Sequence, residues 1–113
     1  MILRLLPFVV LLVACSISNS TGTFVLINKC DKQVKHVHIE ISGSVFDFKN
    51  IMPQGKRTGR FKVKGDSHYD IAAYFEGGKK IRRKVGYVTN GFNYKHIINI
   101  TENDITIADS KIE

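Results

Sequence analysis

Tyr69-Asp70-Ile71-Ala72-Ala73-Tyr74-Phe75-Glu76-Gly77-Gly78 holds two structural signals in one short stretch. Tyr69, Ile71, Ala73 and Phe75 fall on one side of an extended chain, and Asp70, Ala72, Tyr74 and Glu76 on the other, which is the period of two of a half-buried strand. Gly77-Gly78 then supplies residues that take positive φ without a Cβ penalty, as a tight hairpin turn requires. The stretch predicts a strand with one wet face, followed by a chain reversal.

The pattern repeats outward in both directions. Val37, Ile39 and Ile41 alternate with His36, His38 and Glu40. Strand-type runs, β-branched and aromatic, occupy residues 24–27, 34–41, 45–48, 59–63, 69–75, 80–88, 92–100 and 105–107. Turn signals separate them about every 8 to 12 residues, the spacing of an all-β sandwich or barrel. Asn90-Gly91 is a second hairpin signal, so strands five, six and seven are expected to be consecutive antiparallel neighbours. Pro53-Gln54-Gly55 and Gly65-Asp66-Ser67 punctuate the remainder. Strict alternation places Arg83 on the face of Ile81, Val85 and Tyr87, which predicts a bulge or a sheet edge there. The expected fold is an immunoglobulin-like antiparallel β-sandwich of seven or eight strands over residues 24–108, without the Cys, Trp and Cys pattern of antibody domains. A small β-barrel is the alternative, because periodicity does not distinguish a closed sheet from two packed ones.

The 113 residues are 43% hydrophobic and 24% charged, close to globular averages. Disorder, a collagen repeat and a multi-span membrane protein are excluded on composition, and the length allows one domain. Two Cys are too few for a disulfide framework or a Cys-rich zinc module.

Arg4 precedes an apolar run, residues 5–13, broken only by Pro7. A charged start and a short apolar core describe an export signal, and the run is about half the ~20 residues a spanning helix needs. It ends in Leu12-Val13-Ala14-Cys15, which resembles the lipobox of bacterial lipoproteins. The resemblance covers the signal and its cleavage point alone. It implies that residues 1–14 are removed and that the Cys15 thiol takes a diacylglyceryl group. The freed amine then takes a further fatty acyl chain such as palmitate. Two or three chains anchor durably where one binds marginally. Ser16, rather than Asp, at mature position two is similar to lipoproteins sent to the outer membrane of a Gram-negative cell, facing the periplasm. The alternative is a secreted chain cut between residues 15 and 21, in which Cys15 can bridge to Cys30. In a eukaryotic host, Asn19-Ser20-Thr21 and Asn99-Ile100-Thr101 would then be glycosylation acceptors. Residues 15–23 read as the lipidated Cys with a flexible polar tether, and residues 109–113 as an acidic tail. A single Cys30 among strand residues is expected to be a small buried hydrophobe.

Charge is unevenly placed. Residues 29–95 hold fifteen basic and six acidic side chains, while residues 96–113 hold one and four. Lys79, Lys80, Arg82, Arg83 and Lys84 form the densest cluster, and Lys56, Arg57, Arg60, Lys62 and Lys64 a second. Export argues against nucleic acid and favours lipid headgroups, envelope polyanions or an acidic protein as partners. Lysines on an edge strand also block unwanted pairing. Tyr87, Phe92 and Tyr94 surround the Asn90-Gly91 turn, and with the basic run before it they make the candidate interaction surface. His36 and His38 share a strand face and, with His68 or His96, are weak candidates for a metal site. Asp66-Ser67-His68 has hydrolase residue types, but sequence neighbours do not converge as a triad, and the segment reads as a turn.

These residues predict a non-enzymatic envelope lipoprotein: a membrane-anchored, protein-binding module, with an immunity or inhibitor protein as one concrete version. The alternative is a secreted or anchored accessory module for envelope polysaccharide or anionic lipid. No cofactor and no small-molecule ligand are expected.

Overall fold

In the computed structural model, which describes residues 20–112, the alternating runs become eight strands. They are β1 (Thr21–Asn28), β2 (Val34–Ile41), β3 (Ser44–Ile51), β4 (Lys56–Lys62), β5 (Ser67–Phe75), β6 (Lys80–Val88), β7 (Tyr94–Ile100) and β8 (Ile105–Ile112), with one 3-10 turn at Glu76–Gly78. Two four-stranded sheets, β4-β1-β7-β8 and β3-β2-β5-β6, pack face to face as a sandwich and do not close into a barrel. The inward sets are those the alternation indicates: Phe24, Leu26, Ile98 and Ile100 from the first sheet meet Val37, Ile39, Tyr69, Ile71 and Ala73 from the second, all fully buried. Each of these side chains larger than Ala73 contributes about 1.5–3 kcal/mol on burial.

Pairing departs from expectation in two places. β7 lies parallel to β1 and antiparallel to β8, so one strand pair of an otherwise antiparallel structure is parallel. The Asn90-Gly91 turn therefore carries the chain from β6 in one sheet to β7 in the other, and β5, β6 and β7 are not three consecutive neighbours. The reason lies in β6. It carries Arg82, Arg83 and Lys84 in the open, and at a sheet edge an inward-parity Arg can lean out to solvent. Arg83 does so, its Nε donating to Asp104 Oδ1 at 3.0 Å. A bulge accompanies the edge: Gly86 and Tyr87 together oppose His68, with Gly86 at φ +71°. A Cβ there would sit 2.8 Å from Ile107 Cδ1.

The domain also extends beyond its expected limits. Thr21, Gly22 and Thr23, assigned to the tether by composition, open β1 and pair with Lys62, Phe61 and Arg60. Neighbours on both sides supply what a polar composition lacks. Ser20 is buried, its carbonyl accepting from Val63 N–H and its Oγ from Gly91 N–H. At the other terminus β8 continues to Ile112 opposite Tyr94, so most of the expected acidic tail is strand. The expected signal segment, residues 1–14, and Cys15 lie outside the described residues; the two sheets and the core described above fall within residues 20–112.

Alternate strands bring the loops to two ends. Loops 42–43, 63–66 and 89–93 gather where β1 begins, here the leading end; loops 29–33, 52–55, 76–79 and 101–104 form the far end. Between them, Phe24 meets Phe46, Phe48 and Tyr69 edge-on at 5.1, 6.3 and 5.9 Å between ring centroids. Gly59 lies under that ring, and a Cβ added to it would collide with the Phe24 ring. We expect Gly59→Ala to destabilise the chain by about 1–3 kcal/mol through overpacking, read as a lower urea midpoint with an unchanged slope.

Candidate interaction face

The β2–β3 hairpin creates a polar surface held by side-chain hydrogen bonds. Ser42 and Gly43 both have positive φ, 49° and 81°, the geometry of a two-residue turn whose twist suits a hairpin. Ile41 then faces Ser44, and each step outward along β2 is matched on β3, so that His38 falls opposite Asp47. Asp47 Oδ1 sits 2.8 Å from both His36 Nε2 and His38 Nδ1, and Glu40 Oε2 lies 2.9 Å from His38 Nε2. Ionised carboxylates only accept, so this arrangement favours the imidazolium form of His38, in which both ring nitrogens donate. The hydrogen bonds that Glu40 and then Asp47 accept raise the His38 pKa above its ordinary value, and those that Asp47 accepts from His38 and then His36 lower its own.

β5 and β6 continue this outer face. Tyr74 stacks on His36 at 5.4 Å and 18°, and the Lys80 ammonium lies 5.4 Å from the same phenol ring. Arg82 forks onto Asp70, its Nε and one terminal nitrogen donating at 3.0 and 2.8 Å. That bidentate bond lowers the Asp70 pKa. Glu40 and Asp70 pair directly across β2 and β5, a like-charge contact that His38 and Arg82 offset from either side. His38, Glu40, Asp70, Ala72, Tyr74 and Arg82 line most of a shallow concavity of about 230 Å³, completed by Lys80. Ala72 is the small residue that leaves room for it. The result is an open, charged face whose long side chains are already tied down, able to grip a partner at little added entropy cost.

The expected surface divides among three places. Lys80 and Arg82 belong to this face, and Lys84 is exposed on the same strand. Lys79 turns to the far end, where its Nζ lies 6.0 Å from the Phe75 ring and donates to the Glu102 carbonyl at 2.6 Å. Arg83 is held by Asp104, while Tyr87 and Phe92 are exposed near the leading end. Tyr94 is not on the surface. It is 7% exposed, stacked on His96 at 5.4 Å, and its hydroxyl accepts from Thr89 N–H. Its side chain falls on the inward parity of β7, shared with His96, Ile98 and Ile100, where burial outweighs the usual surface preference of a turn-flanking aromatic.

Other candidates resolve as structure. His96 is buried, with Nδ1 2.9 Å from the Tyr69 hydroxyl, and His68 is an exposed residue of β5, so neither joins His36 and His38. Among the described residues no group of three or more side chains suited to a metal ion occurs. Ser67 Oγ accepts from Ser42 N–H and Asp66 from the Thr89 hydroxyl, so Asp66, Ser67 and His68 do not converge. Cys30 is buried and free of a disulfide among the described residues; burial foremost, then Glu102 and Asp31, pushes its thiol pKa up. Asn99 lies inside central strand β7, paired with Ile27 and Thr106. Sequence reasoning passed over Glu40, Asp47, Asp70 and Tyr74. The signal for Asp47 was the Ser42-Gly43 turn, which fixes the register that brings it to the histidines.

The His38 cluster makes stability depend on pH in a defined direction. A raised folded pKa contributes stability that is fully present below the unfolded value near 6.5 and is lost as pH rises through the folded value. The lowered Asp47 value works oppositely, losing its contribution as pH falls below 3.8 through the folded value. We expect the His38 ring to titrate above 6.5 by NMR, and to fall back toward 6.5 in Asp47→Asn and Glu40→Gln.

No family model and no curated protein matches the chain. A solved structure, the NMR structure of the protein from Eubacterium rectale, is similar over 81% of this chain and 90% of that one, with a TM-score of 0.57 and 17% identity. At that identity the likeness concerns the fold, a β-sandwich.

Proposed function

We propose that the protein is a bacterial envelope lipoprotein, anchored through Cys15 and acting without catalysis as a protein-binding module. The observation that carries the binding reading is the outer face of β3-β2-β5-β6. There, aromatic, cationic and anionic side chains from all four strands hold one another in fixed positions on an open surface. Tyr and Arg are the residue types that concentrate binding energy at protein interfaces, and both stand beside the same concavity. Such an open face does not exclude water from a reacting group, which favours recognition over chemistry. An immunity or inhibitor role, blocking an incoming toxin or hydrolase at the membrane, is the concrete version. The anchor reading rests on Leu12-Val13-Ala14-Cys15 and on the short polar stretch between Cys15 and β1. The outer membrane, periplasmic side, is the location we propose from Ser16.

Two experiments test the two halves. Affinity capture of the anchored protein from its own envelope should recover a protein partner. The Tyr74→Ala/Arg82→Ala variant should bind it about tenfold or more weakly; equal binding by the variant would contradict the assignment of this face. Metabolic labelling with a fatty acid should mark the native chain and leave Cys15→Ser unmarked. An unlabelled native chain would remove the anchor.

A further inference from the structure

The basic side chains of the chain are used in two different ways. On β6, Arg82 and Arg83 are each committed to a carboxylate, Asp70 and Asp104. On and after β4, Arg60, Lys62 and Lys64 are exposed, and among the described residues none of the three forms an ion pair. They line, with Thr21, Ser44 and Phe61, an open groove of about 460 Å³ at the leading end.

Apolar surface collects at the same end. Four large hydrophobic side chains are exposed among the described residues, Val45, Met52, Tyr87 and Phe92, and all but Met52 lie at or next to the leading end. Phe92, half exposed, projects from loop 89–93, which is bonded to the first described residues: Gly91 N–H donates to Ser20 Oγ at 2.8 Å, and Thr21 N–H donates to Asn93 Oδ1 at 2.9 Å. Loop 63–66 joins the same knot through Val63 N–H to the Ser20 carbonyl and Gly65 N–H to Asn90 Oδ1. Asp66, the acidic residue of the three leading-end loops, accepts from the Thr89 hydroxyl at 2.6 Å, and β8 brings Asp109, opposite His96, and Lys111, opposite Lys95, to the same end.

Chain length says what faces this end. From Cys15 to Ser20 the backbone reaches ~18 Å at most, whereas an eight-residue strand such as β1 is itself ~26 Å long. An acyl group on Cys15 would hold the leading end at the headgroup layer and the far end away from it. Cations beside a half-exposed aromatic ring are what an anionic bilayer interface accommodates.

We propose that the leading end, through Lys62, Lys64 and Phe92, docks onto an anionic lipid bilayer and so fixes the orientation of the anchored domain. This rests on the membrane-anchored reading and adds a second, non-covalent contact to it. The test uses residues 16–113, which include both sheets and every core residue among the described residues, in co-sedimentation with phosphatidylglycerol–phosphatidylcholine vesicles and with phosphatidylcholine vesicles. Binding is expected to the first and not the second, and to weaken as salt is raised and the Debye length shrinks. Lys62→Gln and Lys64→Gln should each weaken it about fivefold, about 25-fold together. Phe92→Ser should weaken it further, while Lys32→Gln/Lys56→Gln, the same charge change at the far end, should leave it unchanged. Equal binding to both vesicles, or equal loss in the two double variants, would overturn the docking surface. Fatty-acid labelling of the full chain reads the anchor separately, so either claim can fail alone.

Discussion

One aromatic cluster between the sheets governs what the rest of the molecule can present. Phe24 of β1 is met edge-on by Phe46, Phe48 and Tyr69 of the opposite sheet, and Tyr69 meets Phe61 and His96 in turn. Edge-to-face pairs add about 0.5–1.5 kcal/mol each beyond area burial, and they are directional. They set which parity of β1, β3 and β5 turns inward, because a one-residue slip would expose every ring. Gly59 and Gly22 make room for Phe24 and Phe61 beside this cluster. Inside it, Tyr69 and His96 satisfy one another across the two sheets at 2.9 Å, so a polar pair survives in the core.

With the inward parity fixed, the polar residues are assigned to three surfaces. The outer face of β3-β2-β5-β6 receives the His38, Asp47, Glu40, Asp70 and Arg82 network together with Tyr74. The leading end receives Lys62 and Lys64, which form no ion pair among the described residues, and exposed apolar side chains. The far end receives buried Cys30 and the Lys79 contacts to Glu102 and Asn103. The network on the outer face is internally neutralised, so a partner there would meet shaped polarity more than net charge. The leading end differs: Lys62 and Lys64 form no ion pair among the described residues, while β8 also ends there and brings Asp109 opposite His96.

Much of this was legible in the chain, and what was not has a physical cause. The alternation in Val37, Ile39 and Ile41 and in Tyr69, Ile71 and Ala73 gave the buried face, because side chains on a strand point to opposite sides in turn. Arg83 at an inward position marked a sheet edge, and β6 is one. Alternation names a face and not a neighbour, so the parallel partnership of β1 with β7 and the crossing at Asn90-Gly91 were out of reach. Tyr94 and His96 disguised the buried face of β7, since both types often stand at surfaces. Composition misread residues 21–23, where Thr and Gly next to two strands act as strand residues. The Asp47 contacts needed a register, which only the Ser42-Gly43 turn supplies.

The proposed arrangement is geometric: anchored through Cys15, the sandwich would stand with its leading end on the lipid and its outer β3-β2-β5-β6 face free for a partner. The most direct measurement is NMR relaxation of backbone amides of the acylated chain in lipid nanodiscs carrying a spin-labelled headgroup. The account expects strong broadening at Lys64, Gly65, Gly91 and Phe92, and sharp signals at Gln54, Gly77 and Glu102. Broadening at the far end in place of the leading end, or none at either, would contradict it.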